Sequence, residues 1–456
     1  MNNTVSHLYK IDMEKEGREY SELILTNIYQ QAETIARKVV VKGGRQKDID
    51  HFIDDIVTSK YLGIPVMLIL LALVFFITIV GANYPSLALF AFFNFLEDKI
   101  TRLLLFLGCP DFIYGFLVQG VYRCTTWVVA VMLPPMAIFF PLFTLLEDAG
   151  YLPRVAFNLD SIFNKVGTCG KQALTMCMGF GCNAAGVTSC RIIDSPRERM
   201  IAVLTNNFVP CNGRFPLFIA LSIIFWGGMG IYKNFIAAFC VAFLVLTGIL
   251  TTFFISFLLT KTLLKGMPSS FALELPPYRK PVLGQVIVRS ILDRIIFVLM
   301  RAVKVAAPAG ALIWLMANTM VGDASLFKHM TNLLDFPARI IGIDGVILTA
   351  FILGLPANEL VLPLMLMGYL ATGTMIEVES LTALKKILVE QQGWTAGTAV
   401  CVMLFSLLHY PCATTLWTVK KETGSLKWAV LAFIIPLVVA ICACFMAKQM
   451  AKLIGI

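Results

Sequence analysis

Cysteine, asparagine, glycine and proline recur in this chain where an apolar segment would least tolerate them. Gly179-Phe-Gly-Cys-Asn183 interrupts one hydrophobic run, and Pro210-Cys211 interrupts the next. Gly354-Leu-Pro-Ala-Asn358 and Pro411-Cys412 repeat the order in the second half. Breaks at matching places in two halves point to an ion or substrate site between repeats. A break inside a membrane frees backbone carbonyls, which survive where protein buries them or where they line a wet cavity. Such carbonyls can bind a cation. Asn183 and Asn358 add amide oxygens, and Cys182, Cys211 and Cys412 add sulfur. Glu359 is the carboxylate inside the second broken segment, and His409 stands three residues before Cys412. Mixed sulfur, imidazole and oxygen donors suit Fe(II), Zn(II) or Mn(II) better than Mg or Ca.

Each candidate has a plainer explanation. A cysteine in a span is ordinarily inert packing, which suffices for Cys240 and Cys442. That explanation is weaker for Cys211 and Cys412, each placed after a proline in matching halves. His409 alone would be a packed polar residue. Glu359 at membrane depth marks function by default. Arg214 needs a counter-charge, backbone carbonyls or a route to the interface. Gly179, Gly181, Pro210, Pro216, Pro356 and Pro411 are expected to shape the breaks. The scattered methionines read as core.

The elements that must hold these residues are membrane helices. Hydrophobic residues form 58% of the 456, which excludes an ordinary soluble domain. Cys124–Leu146, Asn234–Thr260, Gln391–Val419 and Trp428–Ala447 are uncharged runs long enough to cross a bilayer. They are continuous rather than alternating, so helices are expected and a barrel is not. The expectation is an all-α polytopic membrane protein of about eight to ten hydrophobic segments, arranged as two gate-type repeats with broken helices.

Four regions follow. Residues 1–56 read as a cytoplasmic helical preface with an apolar stripe at Leu25, Ile28, Ala32, Ile35 and Val39. Residues 57–260 hold the first membrane half. There Asn83-Tyr84-Pro85 is expected to end the first span, and Phe90–Leu107 to lie at the interface. Residues 261–304 hold a proline-rich linker and a basic interfacial helix over Val286–Lys304, with a span from Val305. Residues 305–456 hold the second half. The net charge of +9 sits in short loops where it sets topology, not as a nucleic-acid footprint. No signal peptide opens the chain, so a cytoplasmic N-terminus is expected. No His-Glu-x-x-His and no phosphate-binding Gly-x-x-x-x-Gly-Lys-[Ser/Thr] occurs, so neither an enzyme nor a nucleotide site is expected.

Several stretches, in order, resemble the membrane region of the ferrous iron transporter B (FeoB) family. They are Asp48-Ile-Asp-His-Phe-Ile-Asp-Asp with Tyr61-Leu-Gly-Ile-Pro65, Gly179–Asn183 with Ser195-Pro-Arg-Glu-Arg199, and Cys211-Asn-Gly-Arg-Phe-Pro216. Leu273–Arg279 and Tyr410-Pro-Cys412 with Glu422-Thr-Gly-Ser425 complete the set. The resemblance covers about residue 48 to the end. It implies inward passage of Fe2+ across a bacterial inner membrane, with Cys182, Cys211 and Cys412 as gate cysteines. The first gate departs from the family pattern, reading Gly-Cys-Asn-Ala-Ala-Gly, and the second reads Pro-Cys-Asn-Gly-Arg-Phe-Pro. The family's GTP-binding domain is not among these residues: either a GTPase on a separate polypeptide docks, which is the expected partner, or the gene is split or truncated, or transport runs without GTP. Small Feo accessory proteins and a homo-oligomer are further partners the resemblance allows. Two rivals remain: a nucleoside-type gate-domain transporter, and a non-transporting membrane partner of a GTPase.

Overall fold

Seven helices in the computed structural model are long and apolar enough to cross a membrane, and a further helix pair is bent by 108°. With the short apolar helix at Asn358–Leu370 this makes nine hydrophobic segments among the described residues, within the expected range. The structure describes residues 24, 27–28, 30–36, 38–39, 49–59, 62–227, 233–265, 282–290, 295–376 and 380–454. The chain divides into Met1–Asp55 and Ile56–Ile456. In the first unit, residues 27–28, 30–36 and 38–39 are helical, with Ile28, Ala32, Ile35 and Val39 exposed. Leu25, Asp48, Tyr61 and the linker motif Leu273–Arg279 lie outside the described residues.

The larger unit begins with α1 (Gly63–Phe106). The first half then runs α2 (Arg123–Asp148), α3 (Tyr151–Lys165), α4 (Lys171–Gly181), α5 (Asn183–Ser189), α6 (Pro196–Thr205), α7 (Phe215–Trp226) and α8 (Lys233–Lys261). The second half runs α9 (Phe297–Asn318), α10 (Leu326–Ile340), α11 (Gly345–Leu353), α12 (Val361–Leu370), α13 (Ala396–Leu408), α14 (Ala413–Thr423) and α15 (Leu426–Ile454). A two-residue antiparallel pair, β1 (Met320–Val321) and β2 (Ala324–Ser325), precedes α10, with Gly322 at φ +66° in its turn.

The seven helices of one half answer the seven of the other. The correspondence is residue by residue around the first break, with each partner 175 positions later. Asp160 Oδ1 accepts from Gly170 N at 2.7 Å, and Asp335 Oδ1 accepts from Gly345 N at 3.0 Å. Gly167 and Gly342 take φ +82° and +84° in the linking turns, a region open to glycine. A methyl on Gly170 would lie 2.1 Å from Ala156 O; on Gly345 it would lie 2.1 Å from Thr331 O. Gly179 and Asn183 thereby fall in register with Gly354 and Asn358.

Burial separates inner from outer helices. In the most apolar window of each span, 67% of α6–α7 and 72% of α13–α14 is buried, against 17% of α1 and 28% of α15. The broken segments are therefore central, and α1 and α15 turn apolar surface outward, as a lipid solvent permits. The α2 segment and α9 cross closely, since a methyl on Gly310 would meet Gly120 O and Cys124 Cβ at 2.4 Å.

Three expectations are corrected. Asn83-Tyr84-Pro85 does not split the first span. The 44-residue α1 runs through Pro85 to Phe106, about 66 Å at 1.5 Å per residue. Pro85 removes one N–H donor, and the rest of the ladder carries the helix on. Phe90–Leu107 is thus the far part of α1 rather than a separate interfacial helix. It is tied to the next segment by Glu97–Arg123 at 2.7 Å and by Tyr122 Oη donating to Phe93 O at 2.9 Å. The span expected from Val305 begins at Phe297. Arg301 and Lys304 belong to its first turns, where Arg301 donates to Thr418 Oγ1 at 2.9 Å and Lys304 is exposed.

The repeated close approach makes a symmetric prediction. Gly170→Ala and Gly345→Ala each force backbone apart and should lower stability by about 1–3 kcal/mol, the usual range for overpacking. Gly284→Ala, with nothing within 4 Å, should be silent. Thermal unfolding in detergent would expose any failure of the two halves to respond alike.

Candidate metal passage between four helix breaks

Each half contributes two breaks. The first separates α4 from α5 at Cys182, whose backbone is extended at φ −156°, ψ 125°. Its counterpart separates α11 from α12, with Ala357 at φ −153°, ψ 127°. The second breaks lie between α6 and α7, through Pro210-Cys211, and between α13 and α14, through Pro411-Cys412. Cys211 (φ −81°, ψ 165°) and Cys412 (φ −61°, ψ 157°) share an extended backbone. Proline explains the location: it denies a donor to the preceding turn and keeps its predecessor out of the helical region. Pro216 lies in the first turn of α7, where a missing N–H is harmless. Gly181 lets the Phe139 ring approach, since a methyl there would sit 2.5 Å from the ring.

The four breaks converge. Cys182, Asn183, Cys211, Asn358, Glu359 and Cys412 line one cavity of about 30 Å³, with Gly181 and Pro356 in its wall. That volume is about one water's share of liquid volume. Six of the seven residues expected to meet a metal are thus brought together. His409 is not. Its Nδ1 lies 3.0 Å from both Phe405 O and Ser406 O, and its ring packs among Phe351, Phe405 and Tyr410. Its spacing from Cys412 misled because the backbone between them is extended, not helical, so three positions do not return to the same face.

Side-chain contacts distinguish the liners. Asn358 Nδ2 lies 3.7 Å from Cys211 Sγ, and Cys412 Sγ lies 3.2 Å from Thr415 Oγ1. A methyl on Gly213 would be 2.3 Å from Glu359 Oε1, so the carboxylate rests against a glycine of the opposite half. Asn183 is 2% exposed and donates from Nδ2 to Asn207 Oδ1 at 3.3 Å. Met132 and Met136 also face the cavity, one turn apart on α2. Their thioethers add soft donors that sequence reasoning assigned to the core; the i,i+4 spacing beside Pro134 and Pro135 was the available signal. Among the described residues no three His, Cys, Asp or Glu side chains stand close enough to hold a metal ion. The donors form a wall, not a closed chelate.

Arg214 locks the breaks to one another. It is 1% exposed, and its Nη1 donates to Asn207 O at 3.1 Å and Leu407 O at 2.7 Å. Its Nη2 donates to Asn207 Oδ1 at 3.1 Å and reaches His409 O and Tyr410 O at 3.5 Å. Of the solutions open to a buried arginine, the fold uses carbonyls freed by the breaks. Asn207 Nδ2 donates to His409 O at 2.6 Å, and Ala413 N donates to Leu355 O at 2.7 Å. Away from the cavity, Arg191 holds Glu422 with two bonds of 2.7 and 2.8 Å, joining the halves again.

A family model described as gate, nucleoside recognition, matches residues 129–225 and 299–426, the stretches that carry all four breaks. A model described as ferrous iron transport protein B C terminus matches residues 241–293. The chain matches an FeoB membrane region. The Fe(2+) transporter FeoB of Staphylococcus aureus is 29% identical over 425 residues, 92% of this chain and 62% of the relative. That of Methanocaldococcus jannaschii is 26% identical over 442 residues, again 92% and 62%. An Fe(2+) transport protein A/FeoB fusion protein of Porphyromonas gingivalis is 26% identical over 435 residues, 85% of this chain and 50% of the relative. The chain thus spans about 62% of the length of the FeoB relatives it matches most fully. No solved structure matches it.

Removing Arg214 tests the lock. Arg214→Met should destabilise the protein by about 3–5 kcal/mol, as when one partner of a buried charged network is lost. Arg214→Lys should recover only part, because an ammonium lacks the planar fork that reaches several carbonyls. Unfolding in detergent reads both, and wild-type stability in Arg214→Met would show that the carbonyls find other donors.

Proposed function

We propose that this chain passes Fe2+ inward across the cytoplasmic membrane of a bacterial cell, through the cavity between the four breaks. The observation that carries the reading is the convergence of three thiols from three different breaks, with Glu359, on a space of about 30 Å³. Thiol, thioether, amide and carboxylate donors together suit a borderline divalent ion. A dehydrated ion fits such a space. The sulfur donors argue against a nucleoside as cargo. An open wall of donors favours passage over storage, because conduction needs binding weak enough to release. In this mechanism Cys182, Cys211 and Cys412 replace water around the ion, Asn358 adds an amide oxygen, and the Glu359 carboxylate offsets its charge. The sites of Pro210, Pro356 and Pro411 hold the breaks open to it.

The relatives' names supply the cargo, and the fused transport protein A of one relative favours a small accessory partner. The proposal includes a GTPase on a separate polypeptide, a cytoplasmic N-terminus and no nucleotide site in these residues. The exposed apolar side chains of Ile28, Ile35 and Val39 favour a partner surface near that end.

In proteoliposomes, the Cys211→Ser, Cys412→Ser double variant should lose Fe2+ uptake, and Glu359→Gln should slow it. Undiminished uptake by the intact double variant would remove the cavity from the path. Flux measured with and without GTP and a candidate GTPase separates a driven transporter from a passive one. Absence of any metal flux, with co-purification of a GTPase, would favour a non-transporting partner instead.

A further inference from the structure

A second cavity lies apart from the meeting point of the four breaks and has the opposite character. It holds about 340 Å³ and offers only apolar surface, with walls from α1, α2, α3, α4 and α8. That is more than twice the volume, about 150 Å³, of an apolar cavity that takes benzene. Water is a poor occupant, because it needs polar partners that these walls lack. Leu68 of α1 and Leu246 of α8 line the space and are 55% and 51% exposed, so it opens sideways between two outward-facing spans.

The cavity also has a direction. α1 and α2 run antiparallel, with Glu97 beside Arg123 and Gly81 beside Ile138. Leu146 and Tyr151 therefore come level with the first turns of α1. Phe75 closes the inner end, its ring packed on Phe139 at 6.1 Å and Phe180 at 5.2 Å. α1 lines the space from Ile64 to Val74, a rise of about 15 Å at 1.5 Å per residue. Half of a hydrocarbon core of about 30 Å is the same depth, that of one leaflet's chains. The amphipathic α3 turns Leu152, Val155, Leu159 and Ile162 toward this space at three- and four-residue spacing. α1 stands outside the seven-helix repeat, and it covers that stripe without filling the space beneath.

We infer that one acyl chain of a phospholipid enters between α1 and α8 and fills this cavity. Depth, apolar walls and a side opening on the membrane surface together fit such a chain. Filling the space restores the dispersion contacts that walls around a void forgo. Tyr151 lines the outer end, and its hydroxyl is buried without a partner. Swung toward the mouth, that hydroxyl donates to the chain's ester carbonyl and holds it at the interface, where tyrosine is at home. Cys177 and Phe180 line the cavity from α4, just before the break at Cys182. The chain thus braces the first break from behind. Lipid binding is measured without Fe2+, so it stands or falls apart from the iron reading.

The test uses the full chain, purified in detergent and stripped of lipid, with phosphatidylglycerol carrying a photoreactive diazirine on one acyl chain. The expected result is saturable labelling near one lipid per chain, mapped to cavity-lining peptides of α4 and α8 and competed by unlabelled phosphatidylglycerol. Ala173→Phe fills the cavity from α4 and should abolish labelling while the melting temperature is kept. Ile249→Trp fills it from α8 and makes the same test should the first variant misfold. Tyr151→Phe should weaken binding roughly two- to tenfold, the size of one hydrogen bond. Labelling that never saturates, or that spreads over every outward helix face, would overturn the site, as would labelling unchanged in a folded filling variant. Dodecane competing as well as the phospholipid, with Tyr151→Phe silent, would reduce the cavity to an apolar void and overturn the lipid assignment.

Discussion

An interrupted helix in an apolar medium is stable only if its freed carbonyls find donors, and Arg214 supplies them. One guanidinium meets carbonyls of Asn207, Leu407, His409 and Tyr410, which belong to the second breaks of both halves. Without such a donor set each buried carbonyl costs roughly 1–3 kcal/mol. A carboxylate partner would neutralise Arg214 but would leave the carbonyls bare. The arginine thus makes the breaks affordable and fixes their spacing, and the cavity is the space that this spacing leaves.

The repeat sets the scaffold, while divergence at a few positions sets the chemistry. Matching turns, matching Asp-to-glycine bonds and matching extended residues give the two halves one shape. The occupants differ. Where the first half places Cys182 the second has Ala357, and where the first has Arg214 the second has Thr415. The carboxylate comes only from the second half, and it packs on Gly213 of the first. A wall built in this way is chemically lopsided around a geometrically even frame. Its thiols lie two to one across the pseudo-symmetry, facing Glu359.

Most of this was legible in the chain because breaks are written in residues that have few other uses inside a membrane. Gly179, Pro210, Pro356 and Pro411 located all four, and the donors beside them lined the cavity. Three things were hidden. Pro85 looks like the prolines of the breaks, yet α1 continues through it, because a lone proline removes a single bond that neighbouring turns can spare. His409 looked like a ligand because it stands near Cys412, which does line the cavity, but its own ring packs among Phe351, Phe405 and Tyr410. Asn207 gave no sign in sequence, since its role comes from meeting both Arg214 and, across 202 positions of chain, His409.

The size of the cavity and the softness of its wall act together. A space of about 30 Å³ is too small for an ion with its full hydration shell, so the proposed passage would require exchange of water for protein donors. Ions that hold water tightly, such as Mg2+, gain too little from sulfur to make that exchange. Softer ions gain more, and a closed set of thiolates would then keep them. The thiols here are spread over three breaks, one of them engaged by Thr415 and another approached by Asn358. No three acidic or sulfur donors meet at one point among the described residues. On the proposed function, donor type would favour entry and donor separation would favour release. Arg214 joins the second breaks of both halves, so on the proposed function a small shift of one half against the other would change that separation.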